Sequence, residues 1–126
     1  MLDAAQTFRS IAIVGTGPTG IYTLHHLLKR GERLAVTLFE SAALAGVGLP
    51  YSPETTQASM LANIASIEIP PLDGTYLDWL NRQPEVMLRV YGVDPSSLHD
   101  RQFLPRLLLG CWFRDALEQL IASANA

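Results

Sequence analysis

Apolar and polar positions change their spacing several times along the chain, and each change predicts an element. Ile11, Ile13 and Val14 form a short β-branched run, the pattern of a strand buried on both faces of a parallel sheet. From Thr19 to Arg30 the period lengthens. Ile21, Leu24, Leu27 and Leu28 fall on one stripe of a helix that should pack on the sheet, and Gly31 stops it. A second apolar run, Leu34 to Phe39, reads as another strand. Regular spacing then ends. Glycines at 46 and 48 with prolines at 50 and 53 make residues 41–56 a loop. Met60 to Ile69 is apolar but interrupted by Asn63, and Pro70-Pro71 break the chain. Asp73 to Arg82 predicts a short helix with Leu77, Trp79 and Leu80 on its apolar side; Thr75 and Asp78 stand at capping-box spacing before it. Pro84 to Ser97 fits either a short helix or an extended segment. Pro105 opens a last helix, on which Leu108, Leu109, Trp112, Phe113, Ala116, Leu117, Leu120 and Ile121 make a broad apolar face. Met1 to Phe8 reads as a loose lead-in.

The junction between the first strand and first helix carries the strongest chemical signal. Gly15-Thr16-Gly17-Pro18-Thr19-Gly20 is a glycine turn. Gly15 can take the positive φ that a sharp turn requires, and Gly17 lets backbone approach a ligand with no Cβ between them. Pro18 suits the first helical turn, and Gly20 lets the helix lie close to the strand it has left. Unpaired N–H groups and the positive end of the helix dipole then offer a seat for a diphosphate. Glu40 follows Gly20 by 20 residues at the tip of the second strand. At that spacing a carboxylate meets a ribose 2′-hydroxyl and repels a 2′-phosphate. Turn, helix, strand and acid in this order point to an adenine dinucleotide; the competing account is an ordinary βαβ crossover.

Composition narrows the alternatives. The chain has 126 residues, enough for one domain and short for two, and 48% of them are apolar, so a sizeable core is available. A net charge of −3 with scattered basic residues argues against a nucleic-acid surface. No apolar run reaches membrane-span length and no signal peptide precedes the first strand, so the expected location is cytoplasmic. Cys111 alone can make neither an internal disulfide nor a multi-cysteine metal site; it reads as a small buried residue of the last helix. His25 and His26 lack a ligating neighbour four residues away and read as partly exposed, so no metal site is expected. No nucleophile–base set or carboxylate pair is evident, which leaves catalytic residues unassigned.

Three further positions stay open on the residues alone. The 41–56 loop follows the acid directly, so it either lines the mouth of the ligand site or is a surface Ω-loop. The residues favour Asn63 as a turn former, although its amide could also meet the polar edge of a bound ring. Arg106 lies in the first turn of the last helix, where the dipole disfavours a cation; it is either solvated or in contact with a phosphate or flavin.

With these stretches placed, the chain resembles the N-terminal part of the FAD-NAD(P)-binding oxidoreductases, in particular a bacterial branch related to the flavin-containing and N-hydroxylating monooxygenases. The resemblance rests on residues 11–20, Glu40, Gly46-Val47-Gly48-Leu49-Pro50-Tyr51, Leu61-Ala62-Asn63-Ile64, Tyr76-Leu77-Asp78-Trp79-Leu80 and Pro105-Arg106 with Gly110. It implies an α/β fold, the N-terminal part of a Rossmann-like FAD/NAD(P)-binding domain, with a β-α-β crossover followed by loop and helical segments. By that resemblance Gly15, Thr16, Gly17, Pro18, Thr19 and Gly20 hold the FAD diphosphate and Glu40 the adenosine ribose. Gly46, Val47, Gly48 and Tyr51 line the flavin side of the cleft, Asn63 stands near the reactive face of the flavin, and Arg106 is close to the cofactor. NAD(P)H is the implied reductant. Gly110-Cys111-Trp112 departs from the glycine, acid, aromatic order of this branch and removes a charge expected near the site. Relatives of this kind are several hundred residues long. Residues 1–126 are therefore expected to be a single partial domain, whose sheet is completed by a missing C-terminal domain or in a homo-oligomer. Three functions compete: the FAD-binding segment of an enzyme, a nucleotide-binding module without turnover, and a scaffold in which the turn is a relic.

Overall fold

The structure is a computed structural model that describes residues 9–125. The lead-in expected over residues 1–8 lies outside the described residues. Strand β1 (Arg9–Val14) runs parallel to β2 (Leu34–Phe39), and helix α1 (Pro18–Lys29) crosses between them. The second strand has the bounds that its apolar run predicts. Parallel neighbours require such a crossover, because a tight hairpin can join only antiparallel strands. The fold is α/β, a partial Rossmann-like domain.

Pairing Ile11 with Val36 and Ile13 with Leu38 sets these four side chains on the same face, against the core. The opposite face brings Val14 level with Phe39, and these are 85% and 53% exposed. The expectation that β1 is buried on both faces is thus corrected. Among the described residues the sheet has two strands, and nothing covers its second side.

Helix α1 buries Ile21 and Leu24 as its stripe predicts, but His25 is buried too, against the expectation of partial exposure. It lies one helical turn beyond Ile21 and so shares its face. Burial lowers its pKa, with smaller contributions in the same direction from Lys29 and His26. His26 is exposed, with its ring 5.3 Å from that of His25.

The second half of the chain wraps around α4 (Arg106–Ala124), which also packs on α1. Leu108, Leu109, Trp112, Phe113, Ala116 and Leu117 are buried as predicted; Ile121 lies past the end of the core and is exposed. Trp112 joins the Tyr76 and Phe113 rings at 5.4 and 5.0 Å, and the Trp79 indole N–H donates to Asp115 Oδ2 at 3.0 Å. Helix α2 (Tyr76–Asn81) begins at the predicted cap: Asp78 N–H donates to Thr75 Oγ1, and Thr75 N–H to Asp78 Oδ2. The ambiguous stretch resolves into helix α3 (Glu85–Val90) and a 3-10 turn at Pro95–Ser97 capped by Asp94. The apolar segment after residue 60 lies antiparallel to the lead into α4. Ala62 N–H donates to the Leu104 carbonyl at 2.8 Å, and Arg106 N–H to that of Met60 at 2.9 Å.

Candidate functional site

At the end of β1 the chain reverses at Gly15, whose φ is +94° and whose N–H donates to the Phe39 carbonyl at 2.7 Å. Few side chains tolerate that conformation. Three residues into α1, a Cβ on Gly20 would stand 2.2 Å from the Gly15 carbonyl oxygen. The helix therefore rests directly on the turn, as the third glycine predicts.

The 41–56 loop folds back over this turn. Gly17 faces Gly48 so closely that a Cβ on either would come within 3.2–3.3 Å of the other's Cα. Gly46 and Gly48 both have positive φ, at +94° and +64°. On its far side the loop lies against α4: a Cβ on Gly46 would be 3.0 Å from Arg114 Cα, and one on Gly110 2.4 Å from the Tyr51 carbonyl oxygen. The Tyr51 ring meets that of Phe113 at 5.6 Å. Glycine turn, loop and α4 form three layers in backbone contact.

Between turn and loop is a hollow of about 590 Å³. Gly15, Gly17, Pro18, Thr19 and Gly20 line one side, Gly48 and Tyr51 the other. Its floor includes the opening residues of α1, where N–H groups lack helical partners and the dipole favours negative charge. The described part of the chain does not fill it with side chains. A diphosphate fits the N–H groups of this wall, whose lining includes no carboxylate but also carries the side chains of Ile13, Val14, Leu49 and Pro50.

Six of the residues assigned to the site from sequence lie outside the hollow's lining. Thr16 is 3% exposed and points away from it, into the joint with the loop. The Thr16 hydroxyl donates to Glu40 Oε1 at 2.6 Å and accepts the Gly46 N–H at 3.1 Å, while the Thr16 N–H donates to the same Oε1 at 3.0 Å. Ala42 N–H donates to Oε2 of Glu40 at 3.0 Å. These bonds hold the Glu40 carboxyl below the usual carboxylate range. The Thr16 hydroxyl contributes most, then the Ala42 and Thr16 N–H groups; burial opposes them slightly, and the Ser41 N–H adds least. The acid thus faces the glycine turn. Gly46 and Val47 are buried and carry the loop rather than line the space.

Asn63 and Arg106 stand elsewhere, on the paired segments around residues 60–63 and 104–106. Arg106 donates from Nε to the Leu61 carbonyl at 3.1 Å, which accounts for its place at the helix start: main-chain oxygens offset the dipole. Asn63 sits exposed at a bend, and its side chain has no hydrogen-bond partner among the described residues. Cys111, expected as a small buried residue of α4, is half-buried against the core with its Sγ 3.2 Å from the Tyr91 hydroxyl. Among the described residues no group of His, Cys, Asp and Glu is placed to hold a metal ion, and no helix is long and apolar enough to cross a membrane.

Sequence reasoning missed what Gly46 and Gly110 do in the packing. The available signal was a glycine inside a strongly apolar helix, which costs about 1 kcal/mol of helix propensity and so needs a packing reason.

This geometry agrees with what comparison with known proteins finds. A family model described as FAD-NAD(P)-binding matches residues 12–126. The chain belongs to the FAD-NAD(P)-binding family. A relative from Escherichia coli (strain K12), described as uncharacterized protein YdhS, is 57% identical over 117 residues. That alignment covers 93% of this chain and 22% of the relative, so the chain spans about a fifth of the relative's length. No solved structure matches.

Proposed function

We propose that the chain is the FAD-binding N-terminal segment of a flavin-dependent, NAD(P)H-using oxidoreductase of monooxygenase type, acting in the cytoplasm. The observation that carries this reading is the hollow lined at Gly15, Gly17, Gly20 and Gly48, with Glu40 bonded to Thr16 of the same glycine turn. A dinucleotide diphosphate would take the N–H groups at the start of α1, and Glu40 would accept a hydroxyl of the adenosine ribose. Tyr51 would border the bound group from the loop side. Bound flavin supplies the redox chemistry, accepting hydride from a nicotinamide and passing electrons on. The part of this chain is to seat and orient the dinucleotide. Asn63 and Arg106, with an unpartnered amide and a guanidinium held by the Leu61 carbonyl, are polar groups that further parts of a longer protein could bring to the ring.

A second reading is a module that holds FAD or NAD without turnover. It is favoured by the single glycine crossover among the described residues, which seats one dinucleotide and leaves the hydride donor without a site of its own. Its sheet would be completed by a further domain or by a second copy.

Mass spectrometry of ligand released from the purified chain tests both. FAD is the expected product. Anaerobic NADPH then separates the readings: bleaching of bound flavin supports the enzyme, and unchanged absorbance supports the module. Purified chain that neither carries nor takes up FAD, NAD or ADP refutes both.

A further inference from the structure

The end of the 41–56 loop carries two adjacent threonines whose hydroxyls are spent on the loop's own carbonyls. Thr56 is buried, and its hydroxyl donates to the Pro50 carbonyl at 2.8 Å. The exposed Thr55 donates its hydroxyl to the Leu49 carbonyl. The Tyr51 carbonyl lies against Gly110 of α4. That of Ser52 accepts the N–H groups of Thr55 and Thr56 at 3.2 and 2.9 Å. Four successive carbonyls are thus engaged by residues outside the lining of the hollow, although Leu49, Pro50 and Tyr51 themselves border it. Across the hollow the Gly17 carbonyl is likewise taken, by the Ile21 N–H at 3.0 Å.

A main-chain carbonyl oxygen only accepts hydrogen bonds, and so do the oxygens of a diphosphate; brought together they repel. The lining includes no carboxylate, so carbonyls are the acceptors that could spoil this space for an anion. Residues 49 and 50 belong to no helix or strand. The two hydroxyls, rather than a ladder of regular structure, therefore set where these oxygens point.

We infer that Thr55 and Thr56 are positioning residues: they touch no ligand, and they hold the Leu49 and Pro50 oxygens back from the hollow so that it stays open to a diphosphate. This rests on the nucleotide reading above and extends it from the glycine turn to the wall that faces the turn. Without a hydroxyl at position 56 the Pro50 carbonyl loses its donor and is free to turn toward the anion.

The test is calorimetric titration of the full chain with ADP and with inorganic pyrophosphate, which carries the diphosphate and no nucleoside. Thr56→Val should weaken both by the same factor, roughly fivefold, and Thr56→Ser should bind both within about twofold of the parent protein. Thr55→Val, at an exposed position, should weaken both in the same direction and decides the matter if Thr56→Val fails to fold. Variants in which ADP weakens while pyrophosphate does not would show that the threonines shape nucleoside contacts only, and overturn the inference. Valine variants that bind both probes like the parent, or a Thr56→Ser protein no better than Thr56→Val, overturn it as well. A parent protein that binds ADP but not pyrophosphate overturns it and leaves the nucleotide site standing. Absence of ADP binding overturns the nucleotide reading, and this inference with it.

Discussion

Replacing Gly20 by alanine puts the seating of α1 on the turn to a direct test. The added Cβ would stand 2.2 Å from the Gly15 carbonyl oxygen and 3.2 Å from its carbon, with Ile13 Cγ2 at 3.5 Å. Ordinary carbon–oxygen contact needs about 1 Å more than the first of these, given a normal separation near 3.3 Å. The two closest atoms are main chain, so no side chain can swing aside; the helix must slide or the turn must open. Overpacking of this kind costs about 1–3 kcal/mol, and a rigid main-chain obstacle belongs at the upper end. Alanine's better helix propensity offsets up to about 1 kcal/mol. A net loss of about 2 kcal/mol remains, or roughly 6–10 °C in Tm for a domain of this size. Gly31→Ala is the control. Its φ is +69° with nothing within 4 Å of an added Cβ, so it carries only the left-handed backbone cost of about 1 kcal/mol. Thermal melts followed by far-UV circular dichroism compare the two. A Gly20→Ala protein as stable as Gly31→Ala, or more so, would show that α1 does not rest on Gly15.

Leu108→Ala empties a fully buried position on α4 and should cost about 2–5 kcal/mol in urea denaturation, whereas Ile121→Ala at the exposed end of the same face should cost under about 1 kcal/mol. Thr75→Ala removes the hydroxyl that accepts the Asp78 N–H at the start of α2, while the main-chain N–H to Asp78 Oδ2 bond remains, and should lower stability by about 1 kcal/mol, with serine at the same position retaining most of it. At alkaline pH three phenols matter, and burial raises Tyr76 furthest. Burial pushes Tyr22 up to about 12, and Tyr91 reaches about 12 mainly through its hydrogen bond with Cys111. A pKa raised on folding stabilises fully below the unfolded value near 10, and that stability is lost as pH rises toward 12. Urea midpoints should therefore fall across this window, and Cys111→Ala should move the Tyr91 transition, read by ultraviolet absorbance, toward 10.

The strand, helix and turn bounds between residues 9 and 40 were legible in sequence because their signals are local. Gly15 and Gly20 are required by backbone conformation and close approach within a few residues, and the Leu34–Phe39 run stands out by its own pattern. The cap at Thr75 and the long apolar face of α4 were legible for the same reason. Contacts distant in sequence were not. Nothing near Arg106 reveals that its guanidinium meets the Leu61 carbonyl, and nothing near Thr16 reveals that its hydroxyl ties Glu40 to Gly46. His25 shows a limit of pattern reading: a polar residue one turn from Ile21 goes into the core when neighbouring elements leave it no solvent. The stretch after Pro84 was ambiguous because α3 is a six-residue helix, too short for its periodicity to stand out from a strand's.

The hydrocarbon left bare where Val14 stands beside Phe39 bears on how this polypeptide can be handled. Parallel ribbons that show bare aliphatic surface and an unpaired rim stick to one another as concentration rises. Soluble yield should therefore depend on dilution, mild detergent or co-expression with whatever naturally shields that side. An aspartate in place of Phe39, which is exposed on that side and outside the hollow's lining, is the simplest way to keep the material dispersed while leaving the opposite, packed side untouched.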